Sequence, residues 1–315
     1  MSNYIQSLSE NVERVHVRYL NRYGIALAGD LYTIKGMDQG RKHPALIVGA
    51  PYGGVKEQGP SVYANELAQR GFVVLTFDPC YMGESGGEPR RVSSPDLFTE
   101  NFCAGVDFLG LQTFVDREKI GVIGICGSGG FALAAAQMDT RIKAVVTASM
   151  YDMTVAARLG LDSKEKIFAA KDALARQRWV DAENGSPEYI PTFPEEPLTE
   201  VPADMEEPAA EWFRFYAVKR GHHPGARGGF TTTSNLSFMN YDLLAHIDEI
   251  SPRPVLFIMG DRAHSRFFSE NAYAKAAEPK EIYNVEDAEH IDLYDRTDRI
   301  PFDKIENFFK DSMEG

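Results

Sequence analysis

Short runs of apolar residues recur along this chain, and most are followed by a segment with helical periodicity. Such runs are typical of strands that are buried on both faces of a sheet. Strands that alternate with helices predict βαβ units and a mostly parallel sheet, with helices on both faces. The chain is therefore predicted to have an α/β fold, with strands at 45–48, 72–77, 120–123, 144–147, 254–259 and 281–285.

The beginning of the chain follows a different pattern. Residues 13–34 alternate polar and apolar side chains around a turn near Gly24, which predicts an antiparallel hairpin. Helices are predicted at 61–70, 95–115, 130–138 and 301–311. Because sites in parallel sheets lie beyond the carboxyl ends of the strands, we expect the chemistry just after those ends.

The strand and helix alternation lapses between residues 153 and 236. This stretch has helix-like pieces near 163–180 and 207–220, separated by an acidic, proline-rich segment. Aromatic residues such as Trp179 and Trp212 favour a packed structure over a surface excursion without a role. We predict a core formed by 1–152 and 237–315, with 153–236 inserted as a helical cap over the strand ends.

Composition excludes several classes of protein. The formal net charge is −13, which argues against nucleic-acid or anionic-membrane partners, because both require a basic face. The first residues lack a secretory pattern, and no run approaches the roughly 18 apolar residues of a membrane span. We therefore expect a cytoplasmic protein with a small-molecule substrate.

The three cysteines, Cys80, Cys103 and Cys126, form no Cys-x-x-Cys pair. Such a sparse, odd-numbered set indicates neither a disulfide framework nor a zinc site, and the thiols should be free in a reducing compartment. The histidines have no ligand spacing with a second strong ligand, so no metal and no cofactor are predicted.

The segment 119–130 carries the strongest functional signal. It reads Lys-Ile-Gly-Val-Ile-Gly-Ile-Cys-Gly-Ser-Gly-Gly, a buried strand that enters a turn of small residues and then a helix. A nucleophile elbow requires this context, and the residues two positions from the nucleophile must be small because the chain reverses tightly. Gly124 and Ser128 occupy those two positions around Cys126.

This Gly-x-Cys-x-Ser-Gly-Gly pattern resembles the α/β-hydrolase superfamily, and within it the cysteine-nucleophile, dienelactone-hydrolase-like branch. The segment 49–58 looks like that family's oxyanion loop, and 78–87 looks like its Asp-x-x-Gly-x-Gly-x-Ser stretch. The segment 288–295 looks like its closing histidine loop. Gly-Ile-Cys-Gly-x-Gly-Gly at 124–130, followed by Met-Tyr-Asp-Met at 150–153, is similar to cap-bearing hydrolases related to fungal polyketide acyltransferases.

The resemblance implies that Cys126 is an acyl-accepting nucleophile and that His290 is its base. A helix N-terminus and a nearby imidazole would both favour the reactive thiolate. Two alternatives remain for this position. Cys126 could be a small buried hydrophobe, and Ser128 could be the nucleophile in a shifted reading of the motif.

The triad acid has two candidates. The loop after the strand at 254–259 places Asp261 one residue after a glycine, earlier than the family pattern. Asp152 follows the strand at 144–147 and is favoured because that strand ends at the active edge. A cysteine–histidine dyad without an acid is a third possibility. The plainer roles are a helix cap for Asp152 and a turn residue for Asp261.

The resemblance places the oxyanion hole at the backbone N–H of Gly127, with a second donor from Tyr52 or Gly53. Lys56 and Glu57 are expected to hold this loop. The predicted function is hydrolysis of an ester, thioester or lactone through an acyl-enzyme. The alternatives are transfer of an acyl or polyketide group to an alcohol, and a non-catalytic binding protein of the same fold.

Overall fold

The computed structural model describes residues 4–313, which build around one eight-stranded sheet. The spatial order of the strands is β1-β2-β4-β3-β5-β6-β7-β8. Strand β2 pairs antiparallel with β1 on one side and with β4 on the other. From β4 onwards, all neighbouring strands in this order pair parallel. The strands are β1 Val12–Leu20, β2 Ala26–Ile34, β3 His43–Gly49, β4 Val73–Phe77, β5 Val115–Ile125, β6 Ala144–Ala148, β7 Val255–Gly260 and β8 Lys280–Val285.

Ten α-helices connect or flank these strands within the described residues. They are α1 Gly59–Gln69, α2 Pro95–Gly110, α3 Gly127–Met138, α4 Met153–Ala156, α5 Lys164–Asn184, α6 Ala209–Tyr216, α7 Asn235–Met239, α8 Arg266–Lys275, α9 Asp292–Asp295 and α10 Phe302–Met313. The central strands β3 to β7 are almost wholly buried, as their apolar runs require. The mostly parallel sheet and the N-terminal hairpin predicted from the sequence are confirmed.

Several predicted boundaries are wrong. The helix predicted at 95–115 ends at Gly110, because Val115 already begins β5 and pairs with His43. An irregular step in the pairing follows, after which Ala45 pairs with Ile120. The helix predicted from residue 130 begins three residues earlier, at Gly127, directly after the strand. Helix α8 was not predicted from the sequence.

Residues 153–236 lie between β6 and β7 and contribute no strand to the main sheet. They hold α4, α5, α6 and the start of α7, so the helix-like pieces near 163–180 and 207–220 correspond to α5 and α6. The segment touches the core at the carboxyl ends of the strands. Gln58 donates from Nε2 to the carbonyl of Gly221 at 2.6 Å, and Phe230 stacks on Tyr52 with ring centroids 4.2 Å apart.

No helix among residues 4–313 combines the length and apolar character needed to cross a bilayer.

Candidate active site

Cys126 lies at the turn between β5 and α3, in a conformation that few residue types adopt. Its φ is +54°, in the region where most side chains are strained. The turn is so tight that a Cβ on Gly124 would lie 2.1 Å from the carbonyl oxygen of Ser128. Glycine is therefore required at 124, and the elbow geometry expected from the motif is present around the thiol.

Burial raises the pKa of the Cys126 thiol above its ordinary value. Hydrogen bonds from the Tyr294 hydroxyl and from the backbone N–H groups of Tyr52 and Gly127 act in the opposite direction. The net shift is upward, so the resting form at neutral pH is the thiol. The sequence had suggested a thiolate stabilised by a helix N-terminus and an imidazole, and burial outweighs both.

His290 is fully buried after β8, and both of its ring nitrogens are engaged. Nδ1 lies 2.6 Å from Oγ of Ser265, and Nε2 lies 2.8 Å from the hydroxyl of Tyr294. Burial and the neighbouring His264 lower the pKa of His290 to about 3, while Glu211 acts against them. The imidazole is therefore neutral at physiological pH and can accept a proton.

The two predicted acids lie near the site but make other contacts. Asp152 caps α4, accepting from the backbone N–H of Thr154 at 2.9 Å and of Val155 at 3.2 Å, and from the Thr154 hydroxyl at 2.5 Å. The backbone N–H of Asp261 donates to Val285, and its buried Oδ1 has no hydrogen-bond partner among the described residues. Neither carboxylate contacts His290 in this geometry, where Ser265 takes the Nδ1 position.

A buried carboxylate does approach His290 from α6. Glu211 accepts from the backbone N–H of Ile291 at 3.0 Å and pairs with Nδ1 of His264 at 2.7 Å. His264 in turn lies 2.6 Å from the hydroxyl of Tyr151 through Nε2. Burial alone would raise the pKa of Glu211. Its hydrogen bonds to His264 and Ile291 outweigh burial, so the pKa is lowered below its ordinary value and the group is ionised. The rings of His264 and His290 are 4.9 Å apart.

The loop after β3 brings Tyr52 beside the thiol. Gly53 has a φ of +87° and packs against Phe230. Of the two expected donors, the N–H of Tyr52 is the one that acts on the pKa of Cys126. The Tyr52 hydroxyl lies 2.5 Å from Oγ of Ser93. These contacts fix the loop on both sides of the backbone N–H.

A buried ion cluster anchors the same loop. The ammonium of Lys56 contacts Glu57, Asp78 at 3.2 Å and Glu84 at 2.7 Å. These three carboxylates are close enough together to suggest a cation site, and the lysine supplies the positive charge. Because Asp78 and Glu84 follow β4, the cluster joins the loops at the ends of β3 and β4.

Two cavities open near the site. One of about 250 Å³ is lined mainly by apolar side chains, those of Tyr52, Met153, Ala156, Ala157, Asn235 and Phe238. It adjoins the elbow, since a Cβ on Gly127 would lie 2.7 Å from Cβ of Tyr52 and 3.3 Å from Cγ of Met153. The other, of about 320 Å³, is lined by His264 and mainly by charged residues.

Ser128, the alternative nucleophile, lies in the first turn of α3. Its hydroxyl faces the end of β3, where a Cβ on Gly49 would lie 2.8 Å from Oγ. The Ser128 hydroxyl is not hydrogen-bonded to His290, because Ser265 and Tyr294 occupy the two ring nitrogens.

Sequence reasoning did not find Tyr294, Ser265, Glu211 or His264 as members of this site. Tyr294 lies in α9, four residues after the predicted base, and Ser265 lies four residues after Asp261, a predicted acid. This nearness in sequence to predicted site residues was the available signal. Glu211 lies in the inserted segment, eighty residues before its partner Ile291, and no local pattern marks it.

The sheet order, the strand-to-helix turn at Cys126 and the histidine after β8 define the α/β-hydrolase fold. A family model described as X-Pro dipeptidyl-peptidase (S15 family) matches residues 24–190. The chain belongs to this family and is an α/β-hydrolase-type enzyme. This membership argues against the alternative of a non-catalytic binding protein. The narrower dienelactone-hydrolase-like branch remains a hypothesis.

Individual relatives agree with this assignment. "Uncharacterized protein PA2218" of Pseudomonas aeruginosa is 51% identical over 97% of this chain and 82% of its own length. Thiohydrolase aneE of Aspergillus aculeatus is 27% identical over 79% of this chain and 78% of its own. Polyketide transferase af380 of Aspergillus fumigatus is 32% identical over 57% of this chain and 58% of its own.

Solved structures match in the same way. The crystal structure of PA2218 superposes with a TM-score of 0.93 and 50% identity, covering 99% of this chain and 97% of that one. The α/β hydrolase GrgF from Penicillium sp. sh18 superposes with a TM-score of 0.78 at 22% identity, covering 96% and 99%. The second likeness supports the fold alone.

Proposed function

We propose that this enzyme hydrolyses a small acyl thioester or ester, lactones included, through an acyl-enzyme on Cys126. The observation that carries the proposal is the placement of the thiol. It lies at a strained strand-to-helix turn, beside the backbone N–H groups of Tyr52 and Gly127, which act to lower the pKa of the thiol. Two converging backbone donors beside a nucleophile are the arrangement that stabilises a tetrahedral oxyanion.

In the first half-reaction the sulfur of Cys126 attacks the carbonyl carbon. The thiol proton passes to the Tyr294 oxygen while the Tyr294 proton passes to Nε2 of His290, so the phenol is restored. The oxyanion accepts hydrogen bonds from Tyr52 and Gly127. When the intermediate collapses, the imidazolium returns its proton, by the same route, to the departing thiol or alcohol.

In the second half-reaction water attacks the acyl-cysteine carbonyl and gives up a proton towards His290. The C–S bond then breaks, the carboxylic acid leaves, and the thiol regains its proton. The Ser265 hydroxyl would accept a hydrogen bond from Nδ1–H of His290. This contact would hold the tautomer in which Nε2 is free to accept a proton. A neutral base and a neutral thiol suit this route, because no ion pair exists at rest.

We assign the electrostatic role of the triad acid to Glu211. It is the carboxylate that raises the pKa of His290, and therefore the one that stabilises the transient imidazolium. Asp152 and Asp261 remain the alternatives named by the sequence. Each would need to reorient to reach Nδ1, which Ser265 occupies.

We further propose that residues 153–236 act as a cap. The segment contributes Glu211 to the site and Phe230 to the wall beside Tyr52. A cavity of about 250 Å³ has room for a short acyl chain rather than a long one. The cysteine nucleophile is the feature that favours the dienelactone-hydrolase-like branch, and the cytoplasm is the expected location.

The test compares hydrolysis of short p-nitrophenyl esters and acyl N-acetylcysteamine thioesters by the parent protein and by Cys126→Ala. Cys103→Ala is a matched control, because Cys103 is also a buried free thiol but lies in α2. We expect Cys126→Ala alone to abolish turnover, and intact-mass spectra to show an acyl adduct on the parent protein. Activity that survives Cys126→Ala but is lost in Ser128→Ala would contradict the proposal.

Acyl transfer to an alcohol is the second candidate. The similarity to a protein named polyketide transferase and the near-complete burial of Cys126 favour it, because a dry site protects an acyl-enzyme from water. Product analysis with and without added alcohols separates the two. An ester product formed at the expense of the acid would assign transfer.

A further inference from the structure

Helix α5 is unusual because it buries none of its residues. It spans Lys164–Asn184, and every one of its 21 side chains is at least partly exposed. An isolated helix is marginal in water, so helices in proteins normally gain their stability by burying an apolar face. Phe168 and Trp179 are 73% and 68% exposed, so both large apolar side chains project from this helix into solvent.

The two aromatic residues lie on one face of α5. They are eleven residues apart, which is about three helical turns and about 16 Å along the axis. Asp172 and Ala175 lie between them on the same face. The face therefore presents an aromatic group near each end, and between them a small side chain and the carboxylate of Asp172, which is paired with Arg176.

We propose that this face binds α5 of a second copy of the chain, with the two helices antiparallel about a two-fold axis between residues 173 and 174. That register places Phe168 of each copy against Trp179 of the other. It also places Lys164 opposite Glu183. A two-fold contact of this kind requires a self-complementary surface, and this one pairs aromatic with aromatic and cation with anion.

The charges of α5 favour a second copy over other occupants. The helix carries five basic and four acidic side chains, so it is neither a basic nor an acidic surface. Lys164 and Glu183 make no ion pair with any other described residue, which leaves both free for the contact. Because its charges nearly balance, α5 offers no basic face to an anionic bilayer or an acidic carrier protein.

Sedimentation velocity and light scattering over about 1 to 100 µM protein test this proposal. We expect a dimer, and we expect Phe168→Asp or Trp179→Asp to raise its dissociation constant at least about tenfold, because symmetry removes two contacts per change. Leu111→Asp is the control, since Leu111 is 75% exposed at the end of α2 and should leave the dimer intact.

Exchanging the charges of Lys164 and Glu183 separates the loss of a specific contact from general damage to the surface. Lys164→Glu and Glu183→Lys should each weaken the dimer, and the double variant should regain part of the loss. Circular dichroism and a cooperative melt establish that each variant is folded. A protein that remains a monomer at about 100 µM, or a dimer that is insensitive to both aspartate substitutions, would overturn the proposal.

Discussion

The hydroxyl of Tyr294 lies 2.8 Å from Nε2 of His290, on the nitrogen that the proposed base would use. The same hydroxyl is near enough to the sulfur of Cys126 to act on the thiol pKa, which it lowers. Burial raises the pKa of Tyr294 well above its ordinary value, and the nearby Cys126 adds to the effect, so the group remains a phenol. A neutral hydroxyl between a thiol and an imidazole can accept one proton while it donates another.

Replacement of Tyr294 by phenylalanine tests this relay. We expect kcat/KM to fall roughly 10²-fold, the scale of a lost proton-transfer group. Tyr63→Phe is the matched control, because Tyr63 is also buried and donates to Leu293 at 2.7 Å without touching the thiol. Unchanged or faster turnover in Tyr294→Phe would mean that the phenol only blocks direct contact between Cys126 and His290.

The raised pKa of Cys126 predicts slow alkylation at neutral pH. The thiolate is the reactive form, and below the pKa its fraction rises about tenfold for each pH unit. We expect iodoacetamide to label Cys126 slowly at pH 7 and progressively faster above pH 9, with the site mapped by mass spectrometry. Rapid labelling at pH 7 would indicate a thiolate and imidazolium pair instead.

The lowered pKa of His290 predicts an activity profile that is flat on the acid side. With a pKa of about 3 the imidazole stays unprotonated, and so remains a base, as the pH falls through 6.5. We expect kcat/KM at pH 5 to match that at pH 7.5, provided that circular dichroism reports a folded protein at both. A titration of kcat/KM near pH 6.5 would contradict the inferred burial of the base in the free enzyme.

Three amide substitutions identify the acid. Glu211→Gln removes the charge that favours protonated His290, so we expect kcat to fall roughly tenfold or more with little change in KM. Asp152→Asn should leave kcat nearly unchanged, because its carboxylate caps α4. Glu195→Gln is the control, because Glu195 is an exposed partner of Arg227 in the same inserted segment. Loss of activity in Asp152→Asn, with Glu211→Gln active, would restore the assignment that the sequence favoured.

Gly124→Ala tests the requirement for a small residue in the elbow. A Cβ there would meet backbone atoms at 2.1 Å that cannot move without shifting α3, so we expect unfolding stability to fall by about 1–3 kcal/mol or more. Urea unfolding measures this. Gly110→Ala is the control, because its nearest contact would be an arginine side chain at 3.8 Å, and it should be neutral or stabilising.

The sequence by itself determined the features that depend on local periodicity. Apolar runs located the strands, and the order of strands and helices required a mostly parallel sheet. The tight turn at Gly124 and Cys126 excludes large side chains, so the elbow could be predicted from the small residues around the cysteine. The position of His290 after β8 followed from the same order, because the ends of parallel strands converge at one edge.

Only the tertiary structure decided which groups surround those residues. Ser265, Glu211 and His290 come from different parts of the chain, and no sequence pattern predicts that they lie close together. Burial is also a property of the whole fold, and it is the largest cause of the shifts in the pKa values of Cys126 and His290. The sequence suggested a reactive thiolate, whereas desolvation in the assembled site leaves both groups neutral, since removing charges from water outweighs the attraction between them.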